Sequence, residues 1–385
     1  MKLLMMAGEV SGDYQASFLA RALQAKVPGI GLFGTGGVHM REAGVDLRHD
    51  TAHLSSVGFL EPMRHLLPLQ GVYRDMTRLV RRERPDLAIL VDNQGFNLAI
   101  GRVLHSLGVP VIFYFPPQIW VGAAFFARSV AKVSRLVISA FPREAEIYRT
   151  DFGANAVSYG HPLLDIVKPE GDPEDALRRA GLDPSKPVIG LMPGSRRQEV
   201  KELARVMVES ARIIKRRHPE MQFILPLAAE HVRPMIRGVL DQTGLSRDIA
   251  LIERDRYACL SRCELVVTCS GTATLELSLL RVPLVAVYRL DPVSHWFARR
   301  LSMTPYVAMP NVLAGKMVVP EIMQYRLTPE HFAGVAMSLL QRPDDRRKIR
   351  ERLAEIPGHL GACGAVDRTA DRIIGEVEAC LDTAG

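Results

Sequence analysis

The feature that most constrains this chain is an alternation of short apolar runs with amphipathic stretches, and it begins twice. Residues 2–6 read as a buried strand, followed by a glycine-bearing turn and a helix near 13–26. Further strands are expected at 30–33, 87–91, 109–115 and 136–139, with helices near 39–42, 64–82 and 96–107 between them. Runs such as LAILV at 87–91 are apolar at every position, as in a parallel strand covered on both faces. Strand and helix in this order build a mostly parallel sheet with helices on both sides.

A polar, Pro/Gly-rich stretch, KPEGDPED at 168–175, interrupts the pattern. The alternation then restarts with a strand at 188–192, a helix at 199–217 and strands at 222–225, 265–268 and 284–288, with a helix at 272–280. At 385 residues the chain is too long for one core. The expected fold class is therefore α/β, with two Rossmann-like doubly wound domains, 1–168 and 175–366, facing an interdomain cleft. Ligands of such sheets bind beyond the carboxyl ends of the strands. A last helix, about 367–381, is expected to pack back on the first domain, and its exchange between copies would give a homodimer.

Composition narrows the function classes. With 48% hydrophobic and 24% charged residues the chain reads as globular, and a net charge of +7 favours anionic partners. From charge alone, a generally basic protein is an equally good reading. No aromatic–basic platform or recognition-helix motif points to nucleic acid. The five cysteines include no CxxC pair and read as buried, reduced thiols; Cys259, Cys263 and Cys269 fall on an expected helix, its end and a strand end. No HExxH pattern occurs, so neither metal nor cofactor is expected. MKLLMMAGEVSGD turns too soon for a secretory leader and reads as a first strand of a cytoplasmic protein. Residues 104–127 carry no charge apart from His105, but Pro110, Pro116 and Pro117 break any spanning helix.

Five motifs carry candidate chemistry. In IGLMPGSRRQEV (189–200) a loop enters a helix, whose N-terminal amides suit phosphate. Gly194 and Ser195 stand in the turn, where Ser195 can cap the helix or donate to a phosphate oxygen, and the Arg196 guanidinium suits a diphosphate; a capped helix with a solvated arginine pair is the plainer alternative. In SGTATLE, Ser270, Gly271 and Thr272 open a second helix and Glu276 lies a turn inside it, within reach of a ribose diol or merely suited to the helix dipole. In AGEVSGD, Glu9 and Asp13 would repel phosphate, while Gly12 permits close approach; Asp13 also reads as a simple helix cap. Asp92 follows an apolar run at a strand's carboxyl end, where it is either a general base or a turn aspartate. Asn311, in PYVAMPNVLAGK, offers a donor and an acceptor to a sugar or pyrophosphate, or simply makes a turn. Two apolar segments, Phe59, Leu60, Met63, Leu66 and Leu67, and Trp296 and Phe297 beside Arg299 and Arg300, suit either a core or a membrane surface.

Taken in order, AGEVSGD, GTGGVHM, SSVGFLE, LVDNQGFN, GHPLLD, LMPGSRRQEV, SGTATLE and PYVAMPNVLAGK resemble the lipid-A-disaccharide synthase family, from Ala7 to Lys316. The resemblance implies a GT-B fold and an inverting, metal-independent glycosyl transfer. The donor would be UDP-2,3-diacylglucosamine and the acceptor the 6-hydroxyl of 2,3-diacylglucosamine 1-phosphate (lipid X), at the inner face of the cytoplasmic membrane. Carried onto this chain, Asp92 matches the base, Arg196 the group that stabilises departing UDP, Glu276 the ribose contact and Asn311 a donor-site residue. Glu9, Ser11 and Gly12 match the first domain's cleft loop. The chain departs from the family pattern at Gly95 and within Pro116-Pro117-Gln118-Ile119-Trp120-Val121-Gly122, where Pro116 and Gly122 stand in place of a serine and a tryptophan, on the acceptor side. The alternative is another UDP-sugar enzyme of this architecture with a different acceptor, or an epimerase.

Overall fold

The computed structural model describes residues 1–51, 66–119, 124–289, 304–323 and 327–382, the side chains of 66–69 and 94 excepted. SSVGFLE with Phe59 and Leu60, Met63, the side chains of Leu66 and Leu67, Trp120 and SHWFARR lie outside the described residues. The chain forms two compact units, one from Met1–Asp165 and Leu360–Gly385, the other from Ile166–Asp291 and Thr304–His359.

The first unit is built on β1 (Lys2–Ala7), β2 (Gly31–Gly36), β3 (Asp46–Asp50), β4 (Leu87–Val91), β5 (Val111–Tyr114), β6 (Leu136–Ile138) and β7 (Ala156–Val157). They form a seven-stranded sheet in the order β3-β2-β1-β4-β5-β6-β7, every pair parallel. Neighbouring residues of β1 serve opposite faces. Leu3 and Met5 pack with Leu19 and Leu23, whereas Leu4 and Met6 pack with Val80, Leu98 and Leu104. The uniformly apolar runs in the sequence are thus strands with a core on each side.

The terminal helix Ala365–Asp382 adds Ala370, Ile373 and Val377 to the first of those cores. Its start is capped by Asp165, whose carboxylate accepts from the amides of Gly364 (2.6 Å) and Val366 (3.3 Å). Its flank is tied down by Arg135, which donates to Glu376 at 2.6 Å.

The second unit carries β8 (Val188–Met192), β9 (Gln222–Pro226), β10 (Ile249–Ile252), β11 (Cys263–Cys269), β12 (Leu284–Tyr288) and β13 (Glu321–Met323), ordered β10-β9-β8-β11-β12-β13 and again parallel throughout. The helix Arg197–Arg217 lays Val200, Leu203, Met207, Ala211 and Ile214 against Ile189, Leu191 and Phe223, a stripe at helical spacing. Both sheets reverse direction beside their first strand, between β1 and β4 and between β8 and β11. Such a reversal opens a crevice at the strands' carboxyl ends, the usual ligand position in doubly wound folds.

Several expectations are corrected. The polar stretch 168–175 is not all linker: the helix Pro173–Arg179 begins in it, capped by Asp172 at 2.9 Å from the Glu174 amide. Cys263 starts β11 rather than ending a helix, Cys363 is exposed and Cys380 is half-buried, so burial holds only for Cys259, Cys263 and Cys269. The apolar residues 104–127 are divided among the helix Gln94–Ser106, β5 and the helix Ala124–Val133. Among the described residues no helix is long and apolar enough to cross a membrane.

Candidate active site

At the first reversal, Ala7 of β1 pairs with Val91 of β4, so the chain leaving each strand emerges at the same point. Beyond β1, Glu9 is the N-cap of the helix Val10–Lys26, which places Ser11 and Gly12 in its first turn rather than in a loop. Beyond β4, Asp92 and Asn93 both have left-handed backbones, with φ of 52° and 44°. Left-handed geometry costs a residue with a Cβ about 1–2 kcal/mol, so the surroundings must impose it. Asp92 donates its amide to the Tyr114 oxygen at 3.1 Å. The buried Asn97 amide holds the main-chain oxygens of Asp92 (2.7 Å) and Val91 (3.0 Å). A Cβ on Gly8 would overlap the Asn93 side chain, and one on Gly12 would lie 3.6 Å from the Asp92 Cβ. These two glycines let the β1 and β4 turns close on each other and bring Asp92, half-buried, beside the start of the first helix.

Two buried carboxyls brace this assembly. Asp13 does not cap its own helix. It accepts from the amides of Gly37 (2.7 Å), His39 (3.1 Å) and Met40 (3.1 Å), capping the next helix, Val38–Glu42. Burial raises its pKa despite those three donors. Glu144 accepts from the Ser139 hydroxyl at 2.7 Å and from the Ile119 amide at 3.1 Å. Burial pushes its pKa up to about 8, and the charge of nearby Asp92 acts in the same direction.

At the second reversal, Met192 of β8 pairs with Thr268 of β11. The turns beyond them pass through Gly194 (φ 113°) and Gly271 (φ 141°), backbones that favour glycine, into the helices Arg197–Arg217 and Thr272–Leu279. Arg196, not Ser195, is the N-cap. Its guanidinium donates to Glu199 Oε1 at 2.7 Å, while Glu199 Oε2 accepts from the amides of Ser195 (3.1 Å) and Arg196 (3.2 Å). The turn therefore already binds an oxyanion, the Glu199 carboxylate, with amides and a guanidinium, the donor set a pyrophosphate needs. Ser270 gives its hydroxyl hydrogen to the Val307 oxygen at 2.5 Å. Glu276 is buried, and its Oε1 accepts from Arg256 (2.9 Å) and Tyr257 (2.8 Å). Its Oε2 has no hydrogen bond among the described residues.

Asn311 lies in the short helix Met309–Ala314, not in an open turn, and is fully buried. Its Oδ1 accepts from the amides of Val318 (2.7 Å) and Val319 (2.9 Å), and its Nδ2 donates to the Val319 oxygen (2.9 Å) and Glu321 Oε1 (2.8 Å).

Residues 3–357 match the family model described as lipid-A-disaccharide synthetase. The chain belongs to that family. The lipid-A-disaccharide synthase of Geobacter metallireducens is 35% identical over 374 residues, covering 97% of this chain and 96% of its own. That of Myxococcus xanthus is 33% identical, covering 97% of each. Among solved structures, the UDP-GlcNAc 2-epimerase of Neisseria meningitidis bound to UDP-GlcNAc aligns with a TM-score of 0.62 at 14% identity, over 98% of this chain and 100% of that one. The glycotransferase of kitacinnamycin aligns at 0.63 and 16% identity, over 97% of each. At such identity these neighbours bear on the fold alone. As a member of the lipid-A-disaccharide synthetase family the chain is a glycosyltransferase of lipid A disaccharide synthesis, and the epimerase alternative is not favoured.

Family motifs led to Asp92, Arg196 and Glu276, but the groups that orient them went unseen in sequence. Asn97 stands within LVDNQGFN and Glu199 within PGSRRQEV, each an available signal without an assigned task. Arg256 and Tyr257 precede Glu276 by 20 and 19 residues, and no spacing rule links them.

Proposed function

We propose that the chain transfers 2,3-diacylglucosamine from UDP-2,3-diacylglucosamine to the 6-hydroxyl of 2,3-diacylglucosamine 1-phosphate, releasing UDP and a β-1,6-linked disaccharide with inversion. An alcohol is a poor nucleophile until its proton is taken, and the Asp92 carboxylate, raised beside the first helix by its left-handed turn, serves as that base. The leaving UDP gains negative charge as the glycosidic bond breaks. The Arg196 guanidinium and the amides around Gly194, Ser195, Gly271 and Thr272 meet that charge with preset dipoles. Glu276, with Oε1 tied to Arg256 and Tyr257, turns Oε2 to the ribose hydroxyls.

The observation that carries this reading is the Ser195–Arg196 turn, where two amides and a guanidinium already embrace a carboxylate. Glu9, Ser11 and Gly12 face the acceptor sugar. The acyl chains imply work at a membrane surface, the inner face of the cytoplasmic membrane, where the exposed Phe125 inserts.

The test is UDP release from synthetic UDP-diacylglucosamine with and without the acceptor, with the product identified by mass. Acceptor-dependent release with a disaccharide 1-phosphate supports the reading. Equal release without acceptor, or transfer to a water-soluble sugar in preference, overturns it.

A further inference from the structure

We propose that Glu321 is a positioning residue for the donor side of the reaction, and that Asn311 acts through it rather than by touching the nucleotide sugar. The inference rests on the transfer proposed above. A primary amide offers two N–H donors and two acceptor lone pairs. Asn311 commits all four: Val318 and Val319 amides on its oxygen, the Val319 oxygen and Glu321 on its nitrogen. With 0% of its surface exposed, it has neither a free polar valence nor an open face for a ligand. Using it as a direct contact would strip buried groups of their partners, at about 1–3 kcal/mol for each.

Its partner shows where the effect goes. Glu321 begins the edge strand β13, and its Oε1 accepts from the amides of Val307 (3.1 Å) and Ala308 (2.9 Å) as well as from Asn311. Those amides belong to the segment entering the helix Met309–Ala314. The same segment is held by the second reversal: Val307 accepts the Ser270 hydroxyl, and Met309 donates its amide to the Thr274 hydroxyl at 3.2 Å. Ser270 precedes, and Thr274 lies in the first turn of, the helix that opens toward the proposed pyrophosphate. Residues 307–309 are thereby clamped between that helix start and the Asn311–Glu321 pair. The carboxylate sets the segment, the segment orients Ser270, and the turn that follows presents the Gly271 and Thr272 amides in register, the Ser270 amide being held by the Val287 oxygen. Replacing either member of the pair therefore reads out as weakened donor recognition.

The experiment compares Glu321→Gln, Glu321→Ala and Asn311→Asp, with folding followed by circular dichroism, affinity measured with UDP alone, and kcat and KM measured for donor and acceptor. Asn311→Asp sets two carboxylates face to face and is expected to lower donor kcat/KM by about 100-fold. Glu321→Gln keeps an oxygen in place for Asn311 and for the Val307 and Ala308 amides, and is expected to hold donor KM within about threefold of the parent. A folded Glu321→Ala variant with the donor KM of the parent overturns the proposal, since direct ligation by Asn311 would not need that carboxylate. If Asn311→Asp does not fold, Glu321→Ala decides: donor KM raised about tenfold at unchanged acceptor KM supports the clamp, and an unchanged donor KM overturns it. A wild-type chain that neither binds UDP nor releases it from the donor would instead strike down the transfer itself.

Discussion

The side-chain amide of Asn97 donates to the main-chain oxygen of Asp92 at 2.7 Å, fixing a residue whose φ of 52° puts it in the left-handed region. Without that bond the turn has an extended alternative, and the carboxylate loses its aim. Asn97→Ala is expected to lower kcat by about 10- to 100-fold and to cost about 1–3 kcal/mol of stability, because two buried carbonyls lose a donor. UDP affinity should be untouched, since the proposed UDP site lies in the second unit. A steady-state and calorimetric comparison checks both halves, and normal turnover would end the aiming role.

Gly194 sits where a Cβ would strike the Glu199 carboxylate, and its φ of 113° is itself unfavourable for any other residue. Gly194→Ala should therefore misplace the Ser195 and Arg196 amides and weaken UDP binding by about tenfold or more, with the fold preserved. Arg196→Lys keeps the charge but not the planar fork, and should also lose most turnover. Titration calorimetry with UDP tests the first and kcat the second; full binding by Gly194→Ala would remove the turn from the pyrophosphate site.

Glu144 gives a pH signature. Its pKa is about 8 folded against 4.5 for the free side chain, so between those values the native chain holds more protons than the unfolded one. Stability then falls as pH rises, by at most about 1.4 kcal/mol per unit. Glu144→Gln keeps an oxygen to accept from the Ile119 amide and turns an N–H to the Ser139 oxygen in place of the hydrogen bond it accepted, but has no proton to lose. Its advantage in Tm over the parent should grow from pH 4.5 to pH 8 and then level. A difference that stays flat across that window would show that Glu144 is ionised throughout.

Phe125 is 65% exposed, with its ring 4.0 Å from that of Phe126, on a helix that also carries Arg128 and Lys132. Phe125→Ala should weaken binding to phosphatidylglycerol vesicles by about tenfold, as expected for one aromatic side chain withdrawn from an apolar phase. Unchanged co-sedimentation would take this helix out of the membrane contact.

Both sheets were readable because their central strands are apolar on two faces. Leu87–Val91, Val188–Met192 and Leu284–Tyr288 stand at the positions expected for them. The edge strand Asp46–Asp50 was not, because an edge tolerates DLRHD and such a run carries no apolar signal. The helix Met309–Ala314 was hidden by its own punctuation. Pro310 and Gly315 read as turn residues, yet proline suits a helix's first turn and Gly315, at φ 63°, ends it. In the candidate site, the motifs name candidate residues but not their bonding partners. Asp13 looked like a cap and is one, for a helix that begins at Val38. Glu276 looked exposed to a ligand and has one oxygen already committed to Arg256 and Tyr257. Such pairings depend on which strands become neighbours, and a one-dimensional pattern does not record that.

Because the two sheets follow one winding plan, the residue just past β4 and the residue just past β11 are counterparts: Asp92 in one, Ser270 in the other. One blueprint thus carries the proposed proton acceptor in its first copy and the start of the proposed pyrophosphate turn in its second. The division of labour is written in a handful of residues behind equivalent strands. A hybrid that exchanges only those short connections, leaving every strand in register, would move a chemical task from one half of the molecule to the other.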